Sequence, residues 1–383
     1  MAETWEPTNH RSVYVRTGRN GQKIYKARWR YGDQVTSQSF KTLTAAADHL
    51  ASVRVRRRAG DLPDPAKSRR TVDDLWTYFQ ENYTRRDTTL QRHRDAYEDH
   101  IAPVFGKRRL DTITTEEIER FYKRVETQKR KIEDEHGKVI RLIGGTVSTR
   151  RHVQETLHAV LRKAVKAGWL PKNPASNIER VHEPEDEVRW LTIPEVEKLV
   201  AAVEEFAPRF RLYVWMGVET AARPGELLAL RTKHIDGSIR IREAVSEING
   251  VRRIGPPKTK DSVRNVPISP RLRQELDTHF AAGYADRNDP EAFVFSVPEA
   301  QAPLTPTWLR KSIIQRAGRM VGLDWIVPYT LRHSGISLRL QQGLTDWEVA
   351  KITGTSPTMI RKTYGHIAEH ELQEKLDRLA SLG

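Results

Sequence analysis

The chain has 383 residues, with 65 Lys and Arg against 50 Asp and Glu and a formal net charge of +15. This length allows two or three domains, each with its own core. There is no cysteine, which excludes a disulfide framework, a thiolate nucleophile and a cysteine-ligated zinc site. No apolar segment approaches the ~20 residues of a membrane helix, and the N-terminus lacks a secretory signal pattern. We therefore expect a cytoplasmic protein with a polyanionic partner, most simply nucleic acid.

Positive charge is concentrated near the N-terminus, where residues 1–70 hold 15 Lys and Arg against 6 Asp and Glu. The pattern there predicts a small α+β domain, a three-stranded sheet followed by a helix that Thr44 caps and that runs to about Arg58. The strands are predicted at Arg11–Val15, Lys23–Tyr31 and Val35–Phe40, with an Asn-Gly hairpin turn between the first two. A solvated basic tail is the alternative, which the alternating pattern disfavours.

The middle strand of this sheet has an aromatic face and a basic face. Side chains alternate along a strand, so Tyr25, Ala27 and Trp29 share the face that we expect to be buried. The cations of the opposite face are Lys26, Arg28 and Arg30. A sheet that shows such a face can lie in a DNA groove and contact bases and phosphates.

Residues 70–178 predict an all-helical domain, which follows a linker at Gly60–Arg70. Helices are predicted at 72–83 and 88–102, then from near Thr115 to about Arg130, and from Thr146 to about Ala167. A capping box at Thr71 opens the first of them. Basic residues on a helix usually form only a solvated face, and the candidate DNA contacts here are Arg92, Arg150 and Arg151.

Residues 190–383 predict a mainly α domain with a short β region at Ser238–Pro267, preceded by a polar linker at Glu179–Arg189. Thr192 and Glu195 form a capping box at its first helix. The sequence shows no internal repeat, no Gly-rich phosphate loop and no His and Asp cluster with metal-ligand spacing. We therefore expect neither a cofactor nor a metal.

Four segments of this last region carry residues suited to phosphate chemistry. Arg223 precedes a predicted helix, and Glu226 three residues on can hold its guanidinium as a rigid fork for a phosphate. Any one segment alone is weak evidence. An arginine before a helix usually caps that helix, a lysine in a turn is usually solvated, and a tyrosine on a helix usually packs against the core. The other segments hold Lys258 and Lys260 in a probable β-turn, Tyr329 with Arg332 and His333, and Thr355 followed nine residues later by Tyr364.

The order and spacing of the four segments resemble the tyrosine recombinases, the family of the phage-type integrases. Ile101–Gly106 and Leu110–Thr114 are similar to the helical core-binding domain of that family, and residues 1–60 to its arm-binding domain. The residues of the four boxes are Arg223 and Glu226 in the first arginine box, Lys258 and Thr259 in the β-hairpin lysine box, Arg332 and His333 in the second arginine box, and Thr355 and Tyr364 in the terminal box.

The resemblance implies three domains and a nucleic-acid substrate. They would be an α+β arm-type DNA-binding domain at 1–62, an all-α SAM-like core-binding domain at 70–178, and a mainly α (α+β) catalytic domain at 190–383. Residues Ala368–Gly383 would be a C-terminal docking tail. The implied partners are double-stranded DNA with core and arm sites and a homotetramer on that DNA; a DNA-bending accessory protein and a directionality factor are candidates. The implied role is integration or excision of a phage or other mobile element by a nucleoid-associated protein.

The chemistry of such a site is consistent with the residues present. Breaking a phosphodiester without metal ligands or a nucleotide loop leaves a side-chain nucleophile, of which a tyrosinate is one. Arg223 and Arg332 can stabilise the charge that develops at phosphorus, and Lys258 can protonate the departing 5′-oxygen. The resemblance implies that Tyr364 attacks and forms a 3′-phosphotyrosyl intermediate, so that rejoining needs no ATP. Lys260 is the alternative to Lys258.

Two positions differ from the commonest family pattern, which has histidine where this chain has Tyr329 and Thr355. A phenol is a poor base at neutral pH, so Tyr329 can donate a hydrogen bond to phosphate but cannot readily take a proton from Tyr364. Thr355 can donate as well. The proton acceptor for Tyr364 stays open, and His333 has both a structural and a functional interpretation. We interpret His366 as structural.

Two other functions compete with a recombinase. One is a DNA-binding regulator with the recombinase fold and weak or no catalysis. Tyr329 and Thr355 favour it, whereas four retained residues disfavour it: Arg223, Lys258, Arg332 and Tyr364. The other is a type IB topoisomerase-like enzyme. The arm-like N-terminal module and the short helical domain favour the integrase.

Overall fold

The computed structural model describes residues 4–18, 20–31, 34–58, 65–133, 139–181, 188–248, 250–297, 303–365 and 367. The chain divides into two compact units, Met1–Pro184 and Glu185–Gly383. No helix in the described ranges is both long enough and apolar enough to cross a membrane. The predicted docking tail Ala368–Gly383 and His366 lie outside the described residues, as do parts of both predicted linkers.

The first unit opens with an antiparallel sheet in the order β1 (Glu6–Pro7), β2 (Val13–Thr17), β3 (Lys23–Tyr31) and β4 (Gln34–Phe40). The prediction of three strands was wrong by one. β1 pairs through only two residues, too few to leave a periodic signal in the sequence. The first predicted strand also lay two residues early, whereas β3 has the predicted bounds.

Helix α1 (Leu43–Arg58) packs on one face of this sheet and forms a small core. Ala27 is buried in that core, and Tyr25 and Trp29 pack against it half-buried, so the predicted aromatic face is the one that faces α1. The cap is Thr42 and not Thr44, because the Thr42 Oγ1 accepts the backbone N–H of Ala45 at 3.2 Å. Thr44 lies inside the helix.

The other described residues of the first unit form helices, turns and one hairpin. Its core includes side chains with no exposed surface on several helices, among them Val72, Ile118 and Val153. The capping box of Thr71 and Asp74 is confirmed. The helices are α2 (Pro65–Ser68), α3 (Val72–Glu81), α4 (Asp87–Ala96), a π turn (Tyr97–Ile101), α5 (Ala102–Phe105), a 3-10 turn (Leu110–Thr112), α6 (Thr115–Thr127) and α7 (Val147–Lys166).

The hairpin of β5 (Lys129–Glu133) and β6 (Val139–Gly144) lies between α6 and α7 and was not predicted. The helix expected to reach about Arg130 ends at Thr127, and Lys129–Glu133 forms a strand instead. Gly144 and Gly145 have φ of +78° and +70°. These left-handed angles favour glycine and turn the chain from β6 to the Thr146 cap of α7.

The second unit is mainly helical with two short antiparallel pairs. β7 (Ser238–Ile241) pairs with β10 (Arg264–Pro267), and β8 (Ala244–Ile248) pairs with β9 (Val251–Gly255). The helices are α8 (Ile193–Phe206), α9 (Arg211–Thr220), α10 (Pro224–Leu228), α11 (Pro270–Ala281), α12 (Pro306–Leu309), α13 (Gln315–Met320), α14 (Pro328–Gln341), α15 (Asp346–Thr353) and α16 (357–365). A π turn, Arg310–Ile314, joins α12 to α13.

Helix α9 forms the centre of this unit, packed by α8, α11 and α14. Two glycines allow α9 and α14 to approach closely. A Cβ on Gly335 would lie 2.1 Å from the Val218 carbonyl oxygen, and one on Gly217 would lie 2.8 Å from Leu331. This contact fixes the end of α9 beside the first turns of α14, where two of the predicted site residues lie.

Candidate active site

Arg223 is held at the sharp turn between α9 and α10. Ala221 before it has a left-handed φ of 45°, and Arg223 itself is the N-cap of α10, where its backbone N–H donates to Glu226 Oε2 at 3.0 Å. Its Nη1 donates to Glu226 Oε1 at 2.8 Å and to the Ser262 hydroxyl at 2.7 Å. The predicted role of Glu226 in fixing this guanidinium is thus present in the structure.

Glu226 also holds a second arginine that sequence reasoning missed. Arg264 Nη1 donates to Glu226 Oε2 at 3.1 Å, and its Nε donates to the Ile352 carbonyl at 2.7 Å. Burial is the main cause that lowers the pKa of Arg264, and the Glu226 charge opposes it. Arg264 and Val266 are the two buried residues of β10, and no motif in the sequence indicated this role of Arg264.

Arg332 lies on α14 with 3% of its surface exposed. Its Nη1 donates to the Ala221 carbonyl at 2.5 Å and to the Thr353 carbonyl at 2.8 Å. It therefore connects the end of α9 to the end of α15. Burial lowers the pKa of Arg332, and the charge of Arg223 acts in the same direction, but a guanidinium stays protonated in proteins.

Tyr364 lies near the end of α16 with 4% of its surface exposed. Its hydroxyl is 2.5 Å from Nδ1 of His333, which follows Arg332 on α14. Burial raises the pKa of Tyr364, while Arg332 opposes the shift. Burial and then the Arg332 charge lower the pKa of His333 to about 4. At neutral pH a protonated phenol therefore faces a neutral imidazole.

Tyr329 and Thr355 lie at the edge of this group. Tyr329, in the first turn of α14, is 41% exposed, and its ring centroid is 5.0 Å from that of His333. Thr355 follows the left-handed C-cap Gly354 of α15. The Gly354 carbonyl accepts a hydrogen bond from Arg223 Nη2 at 3.3 Å, which brings the terminal box next to the first arginine box.

The loop after β9 carries Lys258, which is exposed. Thr259 Oγ1 lies 2.9 Å from the Ser262 hydroxyl, which in turn accepts from Arg223. The loop is therefore connected to Arg223 through two hydroxyl groups. A 3-10 turn, Lys260–Ser262, stands where a β-turn was predicted, and the side chain of Lys260 is outside the described residues.

The predicted DNA contacts of the first unit differ in their surroundings. Lys26 Nζ lies 3.9 Å from the ring centroid of Trp5, and the Arg28 guanidinium lies 5.3 Å from that of Tyr14. Arg150 forms an ion pair with Glu126 at 2.5 Å, so one nitrogen of its guanidinium is already engaged within the protein. Arg30 and Arg92 are exposed, and Arg151 is half-buried.

Comparison with known proteins finds similarity to phage-type integrases. The family model for the phage integrase N-terminal SAM-like domain matches residues 71–125. The prophage phiRv2 integrase of Mycobacterium tuberculosis is 26% identical over 306 residues, which cover 77% of this chain and 75% of that protein. The integrase of Mycobacterium phage L5 is 30% identical over 221 residues, 56% of this chain and 58% of the phage protein.

Solved structures of integrases share the fold. The Tn1549 transposon integrase in complex with transposon right end DNA has a TM-score of 0.62 at 18% identity, over 81% of this chain and 100% of that chain. A lambda integrase dimer bound to a COC′ core site has a TM-score of 0.57 at 17% identity, over 94% of this chain and 96% of that one. The predicted fold class is confirmed. In sequence and in fold the chain is similar to tyrosine recombinases, among them phage-type integrases.

Proposed function

We propose that this protein is a site-specific DNA recombinase that cleaves and rejoins DNA through a 3′-phosphotyrosyl bond to Tyr364, and so integrates or excises a mobile element. The proposal rests on one observation, that three of the predicted site residues lie close together although they come from different helices. Arg223, Arg332 and Tyr364 come from the start of α10, from α14 and from α16, and they meet around the end of α9. Arg332 and Tyr364 are both buried, and burial of an arginine and a phenol side by side is costly unless the arrangement serves a function.

The two arginines supply the phosphate site. Within the described residues, the hydrogen bonds of Arg332 use Nη1, which leaves Nη2 and Nε for non-bridging phosphate oxygens. Arg223 is held by Glu226 and Ser262 from the side of α10. Both guanidiniums are therefore fixed before DNA arrives, and preorganised donors of this kind stabilise charge without reorganisation at the moment of reaction.

Cleavage exchanges one phosphodiester bond for another. The Tyr364 oxygen forms a bond to phosphorus, the bond from phosphorus to the 5′-oxygen breaks, and Lys258 gives that oxygen its proton. The reverse reaction with a different 5′-hydroxyl rejoins the strand without ATP. Lys260 is the alternative donor, and Tyr329 and Thr355 add hydrogen bonds to the phosphate.

The domain assignment extends this reaction to an assembly. We assign residues 1–62 to arm sites, 70–178 to core-site binding and 190–383 to catalysis, with Ala368–Gly383 docking on a neighbouring copy. The working unit is a homotetramer on two duplexes at the nucleoid, with an accessory DNA-bending protein and a directionality factor as partners. A lambda integrase tetramer bound to a Holliday junction is among the solved structures with this fold, which supports such an assembly here.

The test is covalent trapping. The protein is mixed with the DNA that flanks its own gene, quenched with SDS and assayed for a protein–DNA adduct. We expect adduct from the wild type and none from Tyr364→Phe, which loses only the hydroxyl and should bind the same DNA equally well.

The other outcomes separate the alternatives. Adduct from Tyr364→Phe would overturn the nucleophile assignment. Binding without adduct by the wild type would favour the regulator, and relaxation of supercoiled plasmid that lacks a specific site would favour the topoisomerase.

A further inference from the structure

His333 is the side chain that contacts the Tyr364 hydroxyl, with 2.5 Å between Nδ1 and the phenolic oxygen. Its ring is also near that of Tyr329 on the preceding turn of α14, at 5.0 Å between centroids. The imidazole is half-buried. This residue is not required by the phosphate site described above, so its contact with the attacking atom needs its own explanation.

Either neutral tautomer of His333 can form this hydrogen bond, and only one of them lets Nδ1 accept from Tyr364. A hydroxyl donates only to a lone pair, so with Tyr364 as donor the Nδ1 is unprotonated and the proton of the neutral ring is on Nε2. Burial and Arg332 lower the pKa of His333, and burial raises that of Tyr364. Tyr364 is therefore a weaker acid than a free phenol, and its attack requires an acceptor already in contact with its oxygen.

We propose that His333 takes the proton of Tyr364 as the phenolic oxygen attacks the scissile phosphorus. The inference rests on the proposed recombinase function. The O–H bond of Tyr364 breaks toward Nδ1, the new bond to phosphorus forms, and the bond to the 5′-oxygen breaks as that oxygen receives a proton from Lys258. In rejoining, His333 returns the proton to the phenol.

The charges around His333 make this transfer depend on DNA. Among the described residues, Arg332 and Tyr329 on its own helix and Tyr364 on α16 face His333. Arg223 and Glu226 lie behind Arg332. In free protein the Arg332 charge opposes an imidazolium. A phosphate bound between Arg223 and Arg332 supplies negative charge that offsets this effect and favours the protonated ring. His333 becomes an effective base only once a phosphodiester is in place.

Two variants of His333 distinguish a role in taking the Tyr364 proton from a role in orienting the Tyr364 hydroxyl. His333→Asn keeps an oxygen acceptor close to the place of Nδ1 but cannot take a proton near neutrality, and His333→Ala removes both functions. Rates are measured as single-turnover cleavage of a nicked duplex carrying the sequence that flanks the gene, from pH 5 to 10. We expect His333→Asn to be slower than wild type by about 10²–10⁴-fold at pH 7, as for loss of a general base.

The pH profile gives a readout that a structural role would not move. The wild-type rate should fall toward acid pH as Nδ1 becomes protonated, whereas the His333→Asn rate should rise steadily with pH because only spontaneously formed tyrosinate reacts. Wild-type rate and an unchanged profile in His333→Asn would overturn the proposal. Thermal unfolding and DNA binding of each variant identify any loss that is due to misfolding, and His333→Asn carries the test if His333→Ala does not fold.

A sulfur leaving group distinguishes His333 from the general acid. A 5′-bridging phosphorothiolate releases a thiol, with a pKa of about 8.5 against about 15 or more for an alcohol, so its departure needs no proton donor. We expect this substrate to restore cleavage by Lys258→Ala but not by His333→Asn. If this substrate restored cleavage by His333→Asn, His333 would act on the leaving group, and the proposal would be overturned. Absence of adduct from wild type on every substrate would instead overturn the proposed function itself.

Discussion

Glu226 places one buried carboxylate between the guanidiniums of Arg223 and Arg264, with Arg332 close by. Three guanidiniums around one carboxylate leave this cluster with an excess of positive charge in a site of low polarity. Such an excess costs stability in the free protein, because buried charges are poorly solvated. Under the proposed function, a phosphate that enters the cluster would offset this excess, so the arrangement that weakens the free fold would favour DNA binding.

Tyr329 allows a test of a single hydroxyl at this site. Tyr329→Phe should slow cleavage about 10-fold or more, since a hydrogen bond to a charged group is worth about 1.5–3 kcal/mol. The free energy of unfolding should change little, because the side chain is 41% exposed. Tyr329→His should retain partial activity, because an imidazole also donates. The measurement is single-turnover cleavage from pH 5.5 to 9, and a wild-type rate for Tyr329→Phe across that range would mean that Tyr329 only packs.

At the scale of elements, the site depends on how closely α9 and α14 approach. Gly335 lies against the Val218 carbonyl, and a Cβ there would be 2.1 Å from the oxygen. Arg332, one turn earlier on α14, bonds the Ala221 carbonyl just beyond α9. Any separation of the two helices therefore moves Arg332 away from the turn that carries Arg223.

We predict that Gly335→Ala lowers the free energy of unfolding by about 1–3 kcal/mol, the usual cost of forcing extra volume into a packed core. The measurement is urea unfolding of the full chain, with cleavage rate as a second readout. Gly237→Ala is the matched control, because nothing lies within 4 Å of a Cβ at that position. Equal stability of the two variants would show that the helices can separate without cost.

The sequence predicted elements well where the pattern was long and bounded by caps. Helix α7, with its Thr146 cap and apolar stripe, lies where the periodicity placed it. The strands β1, β5 and β6 were missed because they are short and obtain their stability from pairing, which is a tertiary property. Motif spacing indicated Arg223, Arg332 and Tyr364, but the links through Arg264 and His333 depend on the packing of β10 and α14 and left no sequence motif of their own.

At the scale of the whole molecule, the N-terminal sheet carries much of the positive charge. On its open face Lys26 and Arg28 stack on Trp5 and Tyr14. These rings hold the cations in an extended position on the sheet without neutralising them. The arrangement suits contact with phosphates along a groove.

We predict that replacing Lys26, Arg28 and Arg30 together by Gln weakens arm-site binding and leaves core-site binding unchanged. Each phosphate that the variant can no longer neutralise should reduce the slope of log K against log salt by about 0.9. The matched control replaces Lys41, Arg54 and Arg57 by Gln, which removes the same charge from other exposed positions. The measurement is binding to full attachment DNA at several salt concentrations; an equal slope change in both variants would exclude a specific role for the sheet face.

The burial of Tyr364 has a consequence for the host as well as for the reaction. A protein that can link itself covalently to DNA endangers every chromosome that it meets in passing. Because only 4% of the surface of Tyr364 is exposed, the nucleophile that we propose at this position would be shielded during a brief encounter with an unrelated duplex. Burial of the phenol would therefore limit strand breaks at unrelated sites in the genome.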